Sequence, residues 1–414
     1  MKVLSAPRQR FVGAAFLLLL VLSACGTPIA GESWPGISTD GKYLYVAFKE
    51  HIFRVNPVPP AGSATRQIEW LATAPNNAHM YGPPAIGSDG MLYEGAYDHK
   101  VYAFPQTAQP SPIALGGTST NGPADRFIGG ALVDDTSIYI GMGDKGVIAY
   151  NRSDGSVKWT YTDTQYGVWA TPLLVDKVLY FGSMDHFLYA VDAETGKLQW
   201  KTDLGGAIPG TPLYDHGNLY VGTFNNELLS IGIRDGKIAN RFKTQGWVWA
   251  TPIVKDGILY FGDLNGYLYA VDEANLTQKW STTSTEYPGG IRGSAVIAPV
   301  KNGNGNTTNV VIVGSESKYL LAFDAATGAK FWVSSIAADD QILSDLIVLG
   351  NEVICTTPSD SEVVAAYDIA TGQPNWRIIL PSELTRLQTA TYVPLATGAA
   401  TSAPTQAATA APTQ

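Results

Sequence analysis

Residues 190–200 read AVDAETGKLQW, and the same pattern of residues returns twice later in the chain. Residues 322–332 read AFDAATGAKFW and residues 366–376 read AYDIATGQPNW, so that Ala, Asp, Thr, Gly and Trp keep their spacing. Weaker copies end at Trp159 and Trp280, and a degenerate copy ends at Phe242. Tryptophans 159 and 200 are 41 residues apart, and 332 and 376 are 44 apart, which indicates a repeated unit.

Three residue types of the pattern have a mechanical role. The carboxylate of Asp192 can accept backbone N–H bonds across a turn, and Gly196 supplies a positive φ that a residue with a Cβ atom resists. A tryptophan buries ~150–250 Å² and can cover the neighbouring unit. We therefore predict that five tryptophans are buried at equivalent seams between units: Trp159, Trp200, Trp280, Trp332 and Trp376.

Each unit contains signals for four short strands. Ala170-Thr171-Pro172 recurs as Gly210-Thr211-Pro212 and Ala250-Thr251-Pro252, and two apolar strands such as residues 178–182 and 187–191 follow the first copy. Eight units of about 43 residues, within the range of propeller blades, span the distance from Trp34 to Trp376. The sequence predicts an all-β fold, an eight-bladed β-propeller of four-stranded antiparallel blades over residues 34–381. The expected blade ends lie near Trp70, Leu115, Trp159, Trp200, Phe242, Trp280, Trp332 and Trp376.

Composition and charge agree with this fold class. The chain has 414 residues with 43 Gly, 21 Tyr and 10 Trp, a mixture that favours strands and tight turns over helix bundles. It has 27 Lys and Arg against 36 Asp and Glu, a net charge of −9. Since phosphate neutralisation needs a basic surface, we expect no nucleic-acid partner.

The first 24 residues have the features of an export signal. Lys2, Arg8 and Arg10 precede the apolar residues 11–22, a stretch shorter than the ~20 residues of a membrane span. The sequence that ends at Ala24-Cys25 resembles a bacterial lipoprotein signal, in which lipid is attached to the Cys and the chain is cut before it. Residues 1–24 would be removed, and residues 25–33 would link Cys25 to the propeller. The alternative is an ordinary secretory signal in which Cys25 is incidental.

The Ala-x-Asp-x-x-Thr-Gly-x-x-x-Trp pattern is similar to the tryptophan-docking repeat of the PQQ-like β-propeller family. The resemblance implies one of two branches: quinoprotein dehydrogenases that hold pyrroloquinoline quinone and calcium, or non-catalytic BamB-like lipoproteins that act as scaffolds in outer-membrane barrel assembly. The dehydrogenases place two adjacent cysteines against the quinone. Here Cys25 and Cys355 are far apart, and Cys355 lies in an apolar stretch typical of a core residue. We therefore expect no catalytic, cofactor or metal residues.

Three histidines follow acidic residues, at His51, His99 and His186. A three-His metal centre would explain this, but aligned repeats place all three in one hairpin turn of different blades. Equivalent turns lie around the rim and cannot share an ion at ligand distances of ~2 Å. We interpret them as turn residues, replaced by Lys145, Asn226 and Gly266 in other blades.

Aromatic and charged residues are concentrated just before the inner strands. Trp169 and Trp249 stand in identical Val-Trp-Ala-Thr-Pro contexts, and the group also contains Arg126, Phe127, Tyr166, Trp247, Tyr287 and Arg292. Residues 291–295 are similar to a segment through which BamB contacts its barrel partner, although they lack its Glu, and Leu343-Ser344-Asp345 is similar to a second one. The partner-binding candidates are Trp169, Trp247, Trp249, Arg292 and Asp345. Either these residues plug the channel as packing, or they form a docking site.

Residues 382–414 are predicted to be a disordered Ala/Thr/Pro-rich tail, since residues 396–414 contain no side chain able to form a core. The same composition would suit a glycosylated or wall-spanning stalk.

Three functions follow from these observations. The first is a membrane-anchored scaffold outside the cytoplasm that binds protein partners, with BamB-like barrel assembly as its most concrete form. The second is a propeller that binds a small molecule or glycan at the aromatic residues. The third is quinone-dependent oxidation. The resemblance ranks the scaffold first and oxidation last. It excludes none of the three functions, because fold alone does not determine function.

Overall fold

The computed structural model describes residues 35–58, 67–107, 111–115, 126–283, 289–301, 305–334 and 338–380. All belong to the compact unit Ser33–Gln414. The export signal, Cys25, the linker, Trp34 and the tail lie outside the described residues. Among the described residues, the structure contains no helix long and apolar enough to span a membrane.

The described residues form eight antiparallel sheets of four strands each, so the predicted eight-bladed all-β propeller is confirmed. Blade 1 consists of β1 (Gly36–Thr39), β2 (Leu44–Phe48), β3 (His51–Asn56) and β4 (Gln67–Thr73). Blade 2 consists of β5 (Ala85–Ile86), β6 (Leu92–Gly95), β7 (Val101–Phe104) and β8 (Ile113–Ala114), and a 3-10 helix (Pro75–Asn77) precedes it. Blade 3 consists of β9 (Leu132–Val133), β10 (Ser137–Gly141), β11 (Val147–Asn151) and β12 (Val157–Tyr161). Blade 4 consists of β13 (Leu173–Val175), β14 (Val178–Gly182), β15 (Phe187–Asp192) and β16 (Leu198–Asp203).

The second half continues in the same way. Blade 5 consists of β17 (Leu213–Asp215), β18 (Asn218–Thr223), β19 (Glu227–Gly232) and β20 (Ile238–Lys243). Blade 6 consists of β21 (Ile253–Lys255), β22 (Ile258–Gly262), β23 (Leu268–Asp272) and β24 (Gln278–Ser281). Blade 7 consists of β25 (Val296–Lys301), β26 (Thr307–Gly314), β27 (Leu320–Asp324) and β28 (Lys330–Val333). Blade 8 consists of β29 (Ile347–Leu349), β30 (Glu352–Thr356), β31 (Val364–Asp368) and β32 (Pro374–Ile378).

The core is divided into clusters of buried side chains, each shared by two neighbouring blades. Alternate residues of a strand point to opposite faces, so Leu179 and Phe181 pack against blade 3 while Tyr180 between them packs against blade 5. Ile354 and Trp376 of blade 8 pack with Val46 and Phe53 of blade 1. The hydrophobic core is therefore continuous around the ring.

Polar contacts reinforce the closure between blades 8 and 1. The Thr356 hydroxyl donates a hydrogen bond to the Pro35 carbonyl at 2.9 Å. Lys49 forms an ion pair with Asp360 at 2.7 Å. Because blade 8 takes all four strands from residues 347–378, side-chain contacts rather than a shared sheet close the ring.

In blades 4, 5, 7 and 8, the turn glycine of the repeated motif lies against the tryptophan of the preceding blade and so forms the seam. In the turn between β15 and β16, the Asp192 carboxylate accepts hydrogen bonds from the backbone N–H and the hydroxyl of Thr195, at 2.8 and 2.7 Å. Gly196 has φ +70°, and a Cβ atom there would lie 2.8 Å from the Trp159 ring of blade 3. Because Gly196 has no side chain, the indole ring of the preceding blade can pack directly against the turn.

Four seam tryptophans follow this arrangement. Each donates its indole N–H to a backbone carbonyl of the next blade: Trp159 to Ala193, Trp200 to Ile233, Trp280 to Ala325, and Trp332 to Ile369, at 2.8–3.3 Å. The alanine of the motif pairs with the tryptophan across the sheet, as Ala190 does with Trp200. A small residue at that position leaves room for the indole.

The expectation that all five tryptophans are buried at equivalent seams needs correction. Trp332 and Trp376 are buried, whereas Trp159, Trp200 and Trp280 are half-buried. Trp376 also differs in its partner, since its indole donates to the Glu352 carboxylate of its own blade at 2.9 Å.

Candidate functional site: the channel mouth

Eight lead-in segments, each just before the first strand of a blade, converge at the centre of one face. They line a cavity of about 170 Å³, to which every blade contributes residues. We call these segments, together with the neighbouring turns between the second and third strands, the channel mouth. Turns between the first and second strands, and between the third and fourth, lie on the opposite face, since strand direction alternates within a blade.

In the lead-in segments of blades 4 and 6, one buried valine determines where the side chain of the following tryptophan points. Val168 and Val248 are fully buried, and Val168 packs over Gly141 of blade 3 while Val248 packs over Gly222 of blade 5. The residue that follows each, Trp169 or Trp249, consequently lines the cavity. Hydrogen bonds from the Thr211 and Thr251 hydroxyls to the preceding blade's carbonyls, at 2.9 and 3.0 Å, hold these segments together.

The channel mouth contains an aromatic cluster of Trp169, Phe224, Trp247 and Trp249. Although Trp169 and Trp249 belong to blades 4 and 6, their ring centroids lie 6.4 Å apart. Phe224, in the β18–β19 turn of blade 5, stacks on Trp247 at 4.6 Å and contacts Trp249 at 5.3 Å. Trp247 keeps 41% of its surface exposed. The cluster therefore has an interior part around Trp249 and an exposed part at Trp247.

Arg292 of blade 7 joins this cluster. Its guanidinium carbon lies 4.6 Å from the centroid of the Trp249 ring, a cation–π distance. A guanidinium nitrogen lies 3.5 Å from the Glu316 carboxylate. Burial lowers the pKa of Arg292, and the charge of Glu316 partly opposes this shift. Arg292 is thus held in place by a ring and a carboxylate while it remains partly exposed.

Asp345 lies in the lead-in segment of blade 8 and is exposed. Its carboxylate accepts a hydrogen bond from the backbone N–H of Ser294 in blade 7 at 2.7 Å. The structure therefore brings residues 291–295 and 343–345 together, as neighbouring segments of one surface.

A second group of rings occupies the side of the channel mouth formed by blades 2 and 3. Tyr81 and Tyr97 lie 4.4 Å apart, and the Arg126 guanidinium is 6.0 Å from the Tyr97 ring and 3.8 Å from Asp144. Phe127, grouped with the surface residues from the sequence, is fully buried in the core between these blades. Tyr287 lies outside the described residues, and Tyr166 is 61% exposed.

The histidines occupy turns of separate blades, with two differences from the sequence interpretation. His99 and His186 adopt the left-handed conformation at φ +69° and +78°, as do Asn226 and Gly266. His51 is instead the first residue of β3, and in blade 3 Gly146 takes the left-handed position next to Lys145.

Several residues of the site were not found from the sequence. Phe224 lies in the second turn of blade 5 but contacts Trp247 and Trp249, which precede blade 6. Glu316 lies in the second turn of blade 7, two strands after its partner Arg292, so distance along the chain hid both pairings. Glu94 of β6 is fully buried beside Gly82 at the channel, and burial raises its pKa well above the usual range. The sequence did contain a signal for this residue, since Glu94 occupies the position that Phe181 has in blade 4 and Phe261 has in blade 6.

Two solved structures share the fold of this chain. BamB from Moraxella catarrhalis has a crystal structure with 17% identity to this chain and a TM-score of 0.60, covering 80% of this chain and 92% of that one. The computationally designed Ika8 protein is 15% identical with a TM-score of 0.58, covering 72% and 86%. At these identities the likeness concerns the fold alone.

No curated protein sequence matches the chain. A sequence model of the family described as outer membrane protein assembly factor BamB matches residues 118–207, 184–382 and 299–407. These overlapping segments span well over half of the chain, and the protein therefore belongs to this family.

Proposed function

We propose that this protein is a non-catalytic scaffold outside the cytoplasm, tethered to a membrane through lipid on Cys25, which binds a protein partner with its channel mouth. Its most concrete role is BamB-like, in the assembly of outer-membrane β-barrels. Membership of the BamB family supports this role, and the lipoprotein-like sequence before Cys25 supports the tether.

The observation that carries the proposal is the chemistry of the channel mouth. Trp247 and Tyr166 are exposed at the channel mouth, and Arg292 is oriented there by Trp249 and Glu316. Trp, Tyr and Arg dominate the hot spots of protein interfaces, particularly where neighbouring groups exclude water. Pre-ordered side chains also lose less conformational entropy on binding. The surface thus has the residue types and the rigidity of a docking site.

A small-molecule or glycan site is the second candidate, because an exposed Trp247 stacked on Phe224 offers a flat face to a ring. The cavity volume argues against a compact ligand. At about 170 Å³ it is smaller than the roughly 300–1,000 Å³ of typical small-molecule sites. A broad protein surface fits a shallow, aromatic mouth better.

The donor set of the cavity does not match the quinone and calcium of the dehydrogenase branch. Calcium takes 6–8 oxygen ligands, usually with several carboxylates. Among the described residues that line the cavity, Asp345 is the one carboxylate, and it accepts a backbone N–H. Cys355 is fully buried between blades 7 and 8, and burial raises the pKa of its thiol. The residues of the cavity therefore do not fit calcium and quinone, and this mismatch supports the scaffold function.

The docking surface is tested by site-specific photocrosslinking in intact cells. A photoreactive aromatic residue at position 166 lies at the exposed rim of the channel mouth, and the same group at position 197 lies on the opposite face as a matched control. We expect a protein adduct from position 166 and none from position 197. Equal adducts from both positions, or none from position 166, would contradict the proposed docking face.

The tether is tested separately by Cys25→Ser. The wild-type protein should partition into the detergent phase, and the variant should partition into the aqueous phase with the propeller still folded. Equal partitioning of the two proteins would count against lipid attachment and would leave the docking face untouched.

A further inference from the structure

Three ligand-type side chains meet on the face opposite the channel mouth. Asp215 is the last residue of β17 and His216 begins the turn that follows it in blade 5, and Glu273 lies in the turn between β23 and β24 of blade 6. The Nδ1 atom of His216 is 3.1 Å from a Glu273 carboxylate oxygen and 3.2 Å from an Asp215 oxygen. The three ligand atoms all lie within 4.8 Å of one another.

The repeat makes this cluster unusual. The turn position of His216 is occupied by Asp176 in blade 4 and Asp256 in blade 6, and all three adopt a positive φ, +42° for His216. The position of Glu273 is held by apolar residues in four other blades: Ala193, Ile233, Ala325 and Ile369. Seam formation therefore requires neither a His nor a Glu at these positions.

The two separations that involve the His216 imidazole are close to those of a tetrahedral metal centre. Zinc binds imidazole nitrogen and carboxylate oxygen at about 2.0–2.2 Å, so adjacent ligands of a tetrahedron lie about 3.3–3.5 Å apart. The observed separations of 3.1 and 3.2 Å need a shift of a few tenths of an ångström, well within side-chain freedom. Two carboxylates also balance the charge of a divalent ion.

The carboxylates are already oriented by further hydrogen bonds. Tyr220 donates its hydroxyl to the Glu273 carboxylate at 3.2 Å, and the second oxygen of Asp215 accepts the backbone N–H of His216 at 3.1 Å. The Glu273 side chain is 8% exposed, while that of His216 is 79% exposed. Outer hydrogen bonds of this kind fix ligands in metal sites, and the exposed side leaves room for water as a fourth ligand.

We propose that Asp215, His216 and Glu273 form a binding site for a divalent transition-metal ion, with Zn²⁺ as the best fit, and that the ion joins blades 5 and 6. Without metal, the imidazole Nδ1–H is shared by the two carboxylates. The ion replaces this proton, because a metal ligand must be a neutral imidazole.

The test uses the full chain and Co²⁺ as a spectroscopic substitute for Zn²⁺. Four-coordinate Co²⁺ absorbs far more strongly in the visible range than octahedral Co²⁺, and geometry of this kind is diagnostic of the site. We expect one equivalent of four-coordinate Co²⁺, displaced by one equivalent of Zn²⁺. His216→Asn, which suits a left-handed turn, and Glu273→Gln should each weaken binding at least tenfold.

His186→Asn is the matched control, since His186 is also exposed and left-handed but has no acidic neighbour from another blade among its contacts in the described structure. It should bind Co²⁺ as the wild type does. A second readout is thermal unfolding, because an ion bound to the native state alone raises the midpoint. Zn²⁺ should raise the midpoint of the wild type and of His186→Asn but not of His216→Asn. Unchanged binding by His216→Asn, or solely octahedral Co²⁺ on the wild type, would overturn the proposal.

Discussion

Tryptophans occupy two regions of this propeller, and their surroundings differ. At the seams, Trp159, Trp200, Trp280 and Trp332 each donate an indole N–H to the next blade and lie against a turn glycine. At the channel mouth, Trp249 is enclosed by Trp169, Phe224 and Arg292, and Trp247 stacks on Phe224 with 41% of its surface exposed.

The difference shows how one residue type serves two purposes. Each of these four seam indoles packs against the same partner, the turn glycine of the repeated motif in the next blade. Its burial therefore stabilises the contact between blades. A mouth indole has partners from other blades that differ from repeat to repeat, and Trp247 leaves a large apolar face uncovered. Seam residues should therefore govern unfolding, whereas exposed mouth residues should govern binding.

The largest expected effect is on a seam. Trp332→Ala should lower the free energy of unfolding by about 3–5 kcal/mol, because it removes a buried ring and leaves the Ile369 carbonyl without its indole donor. Trp200→Ala should cost less, since Trp200 is half-buried. Urea unfolding followed by tryptophan fluorescence measures both. A Trp332→Ala protein as stable as the wild type would contradict the seam role.

The next effect concerns binding. Trp247→Ala should weaken affinity for the partner captured from position 166 by about 1–4 kcal/mol and change the free energy of unfolding by less than about 1 kcal/mol. Trp249→Ala and Arg292→Ala should lower both quantities, because these two side chains contact each other as well as the surface. Affinity is measured on folded protein by titration calorimetry.

Two lysines provide the controls for that prediction. Lys197 and Lys237 are exposed in turns on the opposite face, so Lys197→Ala and Lys237→Ala should bind normally. If Trp247→Ala binds as well as these controls, the exposed tryptophan is not part of the interface.

A smaller effect separates the seam contact from backbone strain. Gly328→Ala and Gly257→Ala both place a Cβ atom at a positive φ, +71° and +74°, which costs about 1–2 kcal/mol. A Cβ at Gly328 would lie 2.6 Å from the Trp280 ring, whereas at Gly257 it would meet no atom within 4 Å. Gly328→Ala should therefore be the more destabilising by a further ~1–3 kcal/mol in urea unfolding. If both variants lose the same free energy of unfolding, the Trp280 indole is not in close contact with the turn at Gly328.

The blades could be predicted from the sequence because the seam repeats the same shape. Asp192, Gly196 and Trp200 stand at fixed spacing, and the expected blade ends near Leu115, Trp159 and Phe242 coincide with the outer strands. Exposure of individual tryptophans could not be predicted, since it depends on how far the outermost strand extends beyond its neighbour.

The channel mouth was predictable in composition but not in contacts. Trp169 and Trp249 were identified from their shared context, yet their approach depends on blade 5, which places the compact Pro209 and Gly210 between them. Phe224 and Glu316 come from turns whose side chains vary between repeats, so no periodic signal marks them. The cluster of His216 and Glu273 escaped detection for the same reason, as its members lie 57 residues apart on two blades.

The smallest net effect is expected where the seam departs from its pattern. Between blades 5 and 6, Asn240 rather than Phe242 occupies the tryptophan position, since it pairs with Ser230 as Trp200 pairs with Ala190. Leu276 replaces the glycine, and the Asn240 amide donates a hydrogen bond to the Ala274 carbonyl of blade 6 at 3.4 Å. The degenerate copy expected to end at Phe242 therefore ends at Asn240. Leu276 is buried at φ +55°, a conformation that favours glycine. The larger Leu at position 276 fills the space that Asn240 leaves in place of a tryptophan, so this seam exchanges which of its two sides carries the large side chain.

Each single reversal should therefore destabilise the protein. Asn240→Trp overpacks against Leu276 and should cost about 1–3 kcal/mol. Leu276→Gly empties a buried site, and the loss of ~2–5 kcal/mol is reduced by relief of the positive φ. The double variant restores the arrangement of the other seams and should lie within about 1 kcal/mol of the wild type, with a coupling energy that a double-mutant cycle measures in urea. Additive losses would show that Asn240 and Leu276 do not compensate each other in this seam.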